Sequence, residues 1–398
     1  MALGNSFTSY GSLTKTLHWL TALLILTAFP LGLIADNLAY DTSDQLRQKA
    51  LVFSLHKTVG ITAFFVALVR ILWALGQKKP GLLNAEHRLE SFAAELMHWM
   101  LYVSMLIVPL SGWLHHAATE GYAPVFLPFG DTLPFVPKSP AVAEFFAGWH
   151  FVFTKVLAVS VLLHIAGAVK HAVIDRDGTL RRMWFGAPVG AVPPAQSHSR
   201  SPLWVAAALY AVAISAGSAI GLSHDDTRPT GALAAVETDW QVVTGDLAIT
   251  VLQNDAPITG RFANWTAAIR FDETPVDGVH GDVTVTIDIG SLSLGTITNQ
   301  ALAADFFDAA TFPTATFTAT LRSAQTGYLA DGVLSLRGFE VPVQMPFDLQ
   351  IDGDTADMTG QITLDRRDYE MGKGYADEST VGFGVDVTVA LTARRAEG

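Results

Sequence analysis

Histidines in apolar surroundings are the first residues in this chain that could do chemistry. The stretch HFVFTKVLAVSVLLHIAGAVKH, residues 150–171, contains His150 and His164 fourteen residues apart. Fourteen residues turn an α-helix by about 1400°, roughly 40° short of four full turns, and advance it by about 21 Å. The two imidazoles are therefore expected on one helix face, near opposite edges of a hydrocarbon layer.

Two further histidines match these depths. His18, early in the first apolar segment, is level with His164, and His56, early in the second, is level with His150. Polar side chains at membrane depth are costly and usually functional. Because neutral imidazole is a common axial ligand of haem iron, four histidines at two depths predict two b-type haems stacked across a membrane.

Two alternative roles fit the same histidines. They can anchor helix ends at the membrane interface, although four residues at matched depths argue against this. They can also bind a metal ion such as zinc, but the two levels are too far apart to share one ion. Gly60 and Gly167, one helical turn from His56 and His164, leave room for a macrocycle and favour haem.

The elements that must position these histidines are membrane helices. Half of the 398 residues are hydrophobic, 16% are charged and the mean hydropathy is +0.34, values typical of a membrane protein. The absence of cysteine excludes disulfides, iron–sulfur ligation and thioether-linked haem. Five segments have the length and apolar composition of a membrane span: 14–35, 52–75, 93–115, 148–171 and 202–222.

The distribution of basic residues predicts the orientation of these spans. Most lie in the second and fourth connecting loops, at Lys78, Lys79, Arg88, Arg176, Arg181, Arg182 and Arg200. The first and third loops carry fewer, at Arg47, Lys49 and Lys138. The N-terminus is therefore expected in the cytoplasm and the part after residue 224 on the outside. If the cell is a Gram-negative bacterium, the spans lie in the inner membrane and that part lies in the periplasm.

The C-terminal part has a different composition and period. Residues 225–398 contain 10 Lys and Arg against 26 Asp and Glu, a net charge of −16, which argues against nucleic acid as a partner. About eight runs such as GDVTVTIDI alternate apolar and polar residues between 238 and 395, which predicts an antiparallel barrel or sandwich. One helical interruption is expected at 299–312, and residues 224–236 are predicted to be a linker.

Four stretches of the N-terminal half resemble the bacterial cytochrome b561 family, which is related to the cytochrome b of nickel hydrogenases. They are LTKTLHWLTALLIL, LHKTVGITAFFVALVRILWAL, HWMLYVSMLIVPLSGWL and LHIAGAVKHAVIDRDGTLRRM, and the resemblance extends over residues 8–186. It implies a four-helix transmembrane bundle, electron exchange with membrane quinone such as ubiquinone, and two non-covalent haems b. The implied iron ligands are His18, His56, His150 and His164.

Two more polar residues are assigned to cofactor binding. Arg70 follows His56 by fourteen residues and is expected to meet a haem propionate, with snorkelling to the membrane surface as the alternative. His98 matches a histidine that this family often has early in its third helix. It could serve a quinone, a proton or a propionate, and the role of an interfacial anchor fits it equally well.

The stretches FANWTAAIRFDETPVDGVHGDVTVTIDIGSLSLG, LAADFFDAATFPTATFTAT, GVLSLRGFEVPVQMPFDL and GQITLDRRDYEMG resemble the YceI family over residues 237–395. This resemblance implies a lipocalin-like, eight-stranded antiparallel barrel that binds a polyisoprenoid lipid or quinone. Six aromatic residues are candidates for lining the ligand tunnel, although each could simply pack the core: Phe262, Phe271, Phe306, Phe307, Phe312 and Phe317.

The sequence thus predicts an all-α haem-binding bundle, a fifth transmembrane helix at 202–222 and an all-β barrel. The leading hypothesis is an electron carrier between the quinone pool and a donor or acceptor at the outer face. The alternatives are a superoxide oxidase that reduces ubiquinone and a lipid-binding protein with a membrane anchor. Whether the chain is an enzyme, whether it forms a homodimer and in which direction electrons move are left open.

Overall fold

The computed structural model describes residues 2–78, 80, 87–119, 121, 123–186, 199–223, 233 and 238–396. Apart from Leu233, the predicted linker at 224–236 lies outside the described residues, as does position 237, where the barrel was expected to begin.

The chain divides into two compact units. The first comprises Met1–Asn37, Ala50–Thr119 and Ala123–Asp225, and the second comprises Leu38–Lys49, Glu120–Tyr122 and Asp226–Gly398. The first unit is helical and the second contains the sheet, so that the change of period in the sequence corresponds to a change of fold class.

Five long helices confirm the five predicted spans, each long and apolar enough to cross a membrane. They are α1 (Ser12–Asn37), α2 (Ser43–Leu75), α3 (Arg88–Ala118), α4 (Pro140–Lys170) and α6 (Ser201–Ser223). The helices α1 and α3 continue through Pro30 and Pro109, as membrane helices can. A π-helical turn, His171–Asp175, and the short α5, Thr179–Arg182, follow α4. The protein is a multi-pass membrane protein.

The buried apolar cluster of the helical unit is formed by α3, α4 and α6. Its buried members are Met100, Val108, Phe153, Leu157, Ala206, Tyr210 and Ala213. The hydroxyl of Tyr210 donates to the carbonyl of Met100 at 2.6 Å and lies 2.5 Å from the hydroxyl of Ser104, so that the polar end of the tyrosine is satisfied inside the cluster.

Glycines bring α4 and α6 into backbone contact. A Cβ atom on Gly148 would lie 2.4 Å from the carbonyl oxygen of Gly217 and 2.6 Å from the nitrogen of Gly221, distances that no side chain can occupy. Small residues at such positions are typical of closely packed membrane helices. The small residues of the fifth span therefore serve as a packing face against the helix that carries His150 and His164.

The second unit is built around one antiparallel sheet of ten strands in the order β3-β4-β6-β7-β8-β9-β10-β1-β2-β5. The strands are β1 (Trp240–Gln253), β2 (Ala256–Phe262), β3 (Trp265–Val276), β4 (Val279–Asp288), β5 (Leu292–Ser293), β6 (Thr314–Ser323), β7 (Tyr328–Leu336), β8 (Phe339–Asp352), β9 (Thr355–Asp365) and β10 (Val381–Arg395). The amide of Asp239 donates to the carbonyl of Ile269 at 2.9 Å, and this bond joins the start of β1 to β3. The sheet therefore curls around its own apolar face, as a lipocalin-like fold does.

The sheet unit differs from the sequence prediction in two details. It has ten strands instead of about eight, and one of the additional strands is the two-residue β5, which pairs with the end of β2 and is too short to show an alternating pattern. The helical interruption is limited to α7, Thr298–Leu302. The chain then turns, with Asp308 at a positive φ of 48°, so the expected helix does not reach residue 312.

The contact between α4 and α6 generates a prediction of stability. Replacing Gly148 by alanine forces the two backbones apart, and overpacking of this kind typically costs about 1–3 kcal/mol. We expect a lower midpoint of thermal unfolding of the helical unit in detergent, followed by circular dichroism at 222 nm. Gly76→Ala is the matched control, because its added Cβ would meet only the carbonyl oxygen of Trp73 at 3.7 Å. Equal midpoints for both variants would contradict the close packing of α6.

Candidate functional site

The histidines predicted for the outer level form a pair between α2 and α4. The ring centroids of His56 and His150 are 6.2 Å apart, with an angle of 82° between the planes. Nδ1 of His56 lies 2.8 Å from the carbonyl oxygen of Ala28, and Nδ1 of His150 lies 2.9 Å from that of Val108. Since a carbonyl only accepts, both rings carry hydrogen on Nδ1 and leave Nε2 with a free lone pair.

The histidines predicted for the inner level also lie together. His18 and His164 have ring centroids 6.3 Å apart, at an angle of 63°. The ring of His98 lies 5.3 Å from that of His164, so His98 belongs to this level as well. The guanidinium of Arg70 is 3.2 Å from Nδ1 of His18 and stands 5.8 Å from the ring centroid of Tyr102.

The donor set at both levels fits an iron porphyrin. Two imidazoles that bind one metal at about 2.0–2.1 Å through Nε2 have ring centroids about 6 Å apart, close to both observed separations. A Cβ on Gly60 or Gly167 would have no atom within 4 Å, which is the room that a macrocycle requires. The inner level fits a metal on one condition. While Nδ1 of His18 accepts a hydrogen bond from Arg70, the proton of this neutral imidazole is on Nε2, which then cannot bind a metal. Arg70 must therefore donate to another group when His18 binds a metal through Nε2.

Two other glycines hold the outer rings in place. A Cβ on Gly32 would lie 2.9 Å from Cε1 of His56, and a Cβ on Gly112 would lie 2.9 Å from Cε1 of His150. Each imidazole is thus packed against the backbone of a neighbouring helix. These two positions were not predicted from the sequence, because the contacts are made between helices.

A polar network beside the outer pair, which runs from the buried His116 to the exposed Asp131, was also not predicted. Nζ of Lys57 donates to the carbonyl of Ala123 at 2.8 Å and lies 3.3 Å from Nδ1 of His116. Nε2 of His116 lies 3.1 Å from a carboxylate oxygen of Asp131, and His116 is only 7% exposed. The sequence shows a lysine next to His56 and two adjacent histidines at the end of α3. No local pattern connects the loop residue Asp131 to them.

A third group of possible ligands lies at the end of α4. His171, Asp175 and Asp177 have ligand atoms within 4.8 Å of one another. Lys170 forms an ion pair with Asp175 at 2.8 Å, and Asp177 accepts from the amide of Thr179 at the start of α5. These bonds compensate the carboxylates within the protein, so the group has a structural role.

The curled sheet encloses a cavity of about 220 Å³ whose accessible surface is entirely apolar. Four of the six predicted aromatic residues lie on its wall: Phe262, Phe271, Phe307 and Phe317. The other two lie in the irregular segment after α7, where strand alternation gives no information. The ring centroids of Phe306 and Tyr375 are 5.4 Å apart. Phe312 packs against Gly338, because a Cβ atom added to this glycine would lie 3.2 Å from the Phe312 ring.

The wall also contains two polar residues that were not predicted from the sequence, Arg366 and Tyr369. Arg366 is 4% exposed, and its guanidinium donates to five carbonyl oxygens, those of Met371, Gly372, Tyr375, Val381 and Gly382, at 2.6–3.3 Å. Burial lowers the pKa of this guanidinium. Burial also raises the pKa of Tyr369 to about 12, with the charge of Asp368 acting in the same direction.

The one histidine of the barrel has a structural role. Nδ1 of His280 lies 2.7 Å from the carbonyl oxygen of Asp272, and Nε2 lies 2.9 Å from the hydroxyl of Ser323. The ring stacks on Phe271 with centroids 5.0 Å apart. Both ring nitrogens are therefore engaged, which agrees with the interpretation of this unit as a binding domain.

Comparison with known proteins assigns both parts of the chain. The family model of prokaryotic cytochrome b561 matches residues 9–186. The chain is 32% identical over 183 residues to cytochrome b561 homolog 2 of Escherichia coli (strain K12), covering 46% of this chain and 95% of that protein. The chain belongs to the cytochrome b561 family. Cytochrome b561 homolog 1 of the same organism is 26% identical over 167 residues, covering 42% of this chain and 92% of that protein.

Beyond this cytochrome part, the family model of the YceI-like domain matches residues 232–393. Similar solved structures include BcnA of Burkholderia cenocepacia, which is 26% identical in sequence. The similarity covers 39% of this chain and 99% of BcnA, with a TM-score of 0.36. A polyisoprenoid binding domain from Saccharophagus degradans is 17% identical. The similarity covers 39% of this chain and 97% of that chain, with a TM-score of 0.30. The two family models together show a cytochrome b561 part followed by a YceI-like domain.

Arg366 generates a prediction for the barrel of this cytochrome. Lysine cannot reproduce five hydrogen bonds from one planar guanidinium, so Arg366→Lys leaves buried carbonyls unsatisfied at a cost of about 2–4 kcal/mol. We expect the unfolding midpoint of the sheet unit to fall by roughly 5–10 °C, measured by differential scanning calorimetry of the full chain. Arg367→Lys is the control, because Arg367 is exposed and its guanidinium pairs with the Asp365 carboxylate and stacks on the ring of Phe383. A midpoint that changes equally in both variants would show that the buried bonds are dispensable.

Proposed function

We propose that this protein is a di-haem cytochrome that carries electrons across the bacterial inner membrane between the quinone pool and a donor or acceptor at the periplasmic face. The observation that carries the proposal is the pairing of four histidines at two levels, with ring centroids 6.2 and 6.3 Å apart. Bound haem b would supply reversible one-electron transfer. The helices hold the ligands, and the bilayer keeps water away from them.

The outer pair, His56 and His150, is prepared for ligation. Hydrogen bonds from Nδ1 to the carbonyls of Ala28 and Val108 fix the tautomer, leave Nε2 as the free nitrogen and make the imidazole a stronger ligand. Because both acceptors are backbone atoms of membrane helices, the orientation of each ring is tied to helix packing.

The inner pair, His18 and His164, depends on Arg70. We infer that Arg70 would pair with a propionate of a bound haem, because a guanidinium forms its strongest hydrogen bonds with carboxylates. Nδ1 of His18 could then carry the proton, and Nε2 of His18 would hold the iron. We propose His98, whose ring lies 5.3 Å from that of His164, as the residue that exchanges a proton with a quinone at the same level.

The orientation rests on the basic loops. Arg176, Arg181 and Arg182 follow α4 at the end that carries His164, so this end is cytoplasmic under the positive-inside rule. His150 and His56 are then close to the periplasm. An odd number of spans places the YceI-like domain in the periplasm as well.

The barrel is proposed to bind an isoprenoid lipid. Its cavity has an apolar surface, its lining is dominated by aliphatic and aromatic side chains, and the YceI-like model matches this part of the chain. A branched hydrocarbon chain suits such a lining because burial of apolar surface is its only requirement. Tethering raises the local concentration of a bound lipid near the membrane to roughly millimolar.

The first test is the haem content of the purified protein, measured from a dithionite-minus-oxidised spectrum. We expect about two b-type haems per chain in the native protein and about one in each of His56→Ala, His150→Ala, His18→Ala and His164→Ala, because each substitution removes one axial ligand. In a redox titration, the variants of the outer pair and those of the inner pair should each lack the signal of a different haem.

His171→Ala is the matched control, because His171 lies on the same side of the helical unit, seven residues after His164, and is paired with Asp177. It should retain both haems. Full haem content in all four pair variants would refute the ligand assignment. Rapid reduction of the haems by superoxide alone would favour a superoxide oxidase over an electron relay that only passes electrons between other partners.

A further inference from the structure

The connection between α3 and α4 contains a short loop that closes on itself. This segment, residues 125–130, has the sequence VFLPFG and is named the VFLPFG loop. The amide of Val125 donates to a carboxylate oxygen of Asp131 at 2.8 Å. A Cβ atom added to Gly130 would lie 2.7 Å from Cγ1 of Val125, so the first and last residues of the loop are in contact. Residues 126–129 therefore form a compact tip.

The VFLPFG loop lies along α2. The amide of Phe126 donates to the hydroxyl of Thr58 at 3.0 Å, and the ring centroid of Phe129 is 5.9 Å from that of Phe65. Thr58 follows the outer ligand candidate His56 by two residues, and Phe65 follows Thr58 by seven, a rise of about 10 Å along the helix. The loop thus extends from the level of the outer histidine pair towards the middle of the span.

Contacts with α3 give the same depth. Nε1 of Trp113 donates to the carbonyl of Gly130 at 3.0 Å, and its ring lies 5.9 Å from that of Phe65. Trp113 precedes Ala118, the last residue of α3, by five residues, which is about 7 Å along the helix. The VFLPFG loop is therefore packed on parts of α2 and α3 that belong to their candidate membrane spans.

The backbone of this segment suits a medium without water. Non-helical backbone is tolerated at membrane depth where its polar groups find partners in the protein. The N–H groups of Val125 and Phe126 have acceptors, and the carbonyl of Gly130 has a donor. Pro124 and Pro128 contribute no N–H group. These features reduce the cost of removing the loop from water.

The side chains of the tip are apolar and exposed. No charged residue occurs between positions 123 and 130. Phe126 and Phe129 are 54% and 53% exposed, and Phe65, beside Phe129, is 38% exposed. The two loop rings thus continue an apolar surface of a membrane-spanning helix. In water this surface would be costly, whereas acyl chains would cover it favourably.

We propose that the VFLPFG loop is inserted into the half of the bilayer nearer to the His56–His150 pair, where lipid acyl chains cover Phe126 and Phe129. The loop is thus a part of the membrane-embedded surface that lies outside the helices. This inference concerns the contact of the chain with bulk lipid and is independent of the haems and of the lipid proposed for the barrel.

The insertion is tested by spin labelling of the full chain in nanodiscs of phosphatidylethanolamine and phosphatidylglycerol. The native sequence has no cysteine, so Phe126→Cys and Phe129→Cys each provide a single labelling site. We expect both labels to be relaxed more by oxygen, which concentrates in hydrocarbon, than by a water-soluble nickel chelate. Each variant is first required to match the unfolding midpoint of the native protein.

Two controls calibrate the measurement. Val69→Cys lies four residues after Phe65 on the exposed side of α2 and should favour oxygen, whereas the exposed Thr132→Cys, just after the loop, should favour the chelate. Loop labels that favour the chelate as the Thr132 label does would show that the loop lies in water. Loop labels shielded from both reagents would show that protein, such as a second copy of the chain, covers it. Either result would overturn the proposal.

A second measurement uses the unaltered protein, so that it does not depend on the folding of a variant. The probe is a phosphatidylcholine with a diazirine in one acyl chain, and its adducts are located by peptide mass spectrometry. Adducts on residues 126–129 are expected, together with adducts on the exposed face of α2 around Val69. Adducts on α2 without any on the VFLPFG loop would contradict the insertion.

Discussion

The organisation of the helical unit depends on the need of a buried imidazole for a hydrogen-bond acceptor. In a hydrocarbon layer no water can satisfy a ring N–H, and an unpaired polar group costs several kcal/mol. Ala28 and Val108 provide that acceptor at the outer level from the backbones of α1 and α3. Each histidine thereby links two helices, and the positions of these helices determine which nitrogen is free to bind a metal.

The barrel satisfies its polar groups in a different way. Its strands bond to one another, and a single guanidinium, that of Arg366, joins the irregular segment after β9 to the start of β10 through carbonyl oxygens. The interior can then be almost entirely apolar. The two units thus keep water from their sites by different means, one with the bilayer and one with a curled sheet.

Much of this was predictable where a regular period governs the side chains. The rotation of an α-helix placed His150 and His164 on one face. Alternation in the C-terminal part predicted an antiparallel barrel or sandwich, and the structure has a curled antiparallel sheet. Prediction failed where geometry depends on irregular backbone or on contacts between distant segments. Phe306 and Phe312 lie in turns that have no parity. The bonds of Arg366 and the network of Lys57, His116 and Asp131 join residues that no local pattern connects.

The glycine contact between α4 and α6 has a consequence for assembly. A four-helix bundle would present the outer face of α4 to the lipid, where another protein could approach it. Here Gly217 and Gly221 place α6 directly on Gly148, and Trp149 donates to Ser218 at 3.0 Å, so the chain itself covers that surface. A partner subunit must therefore approach the histidine-bearing bundle from a different side.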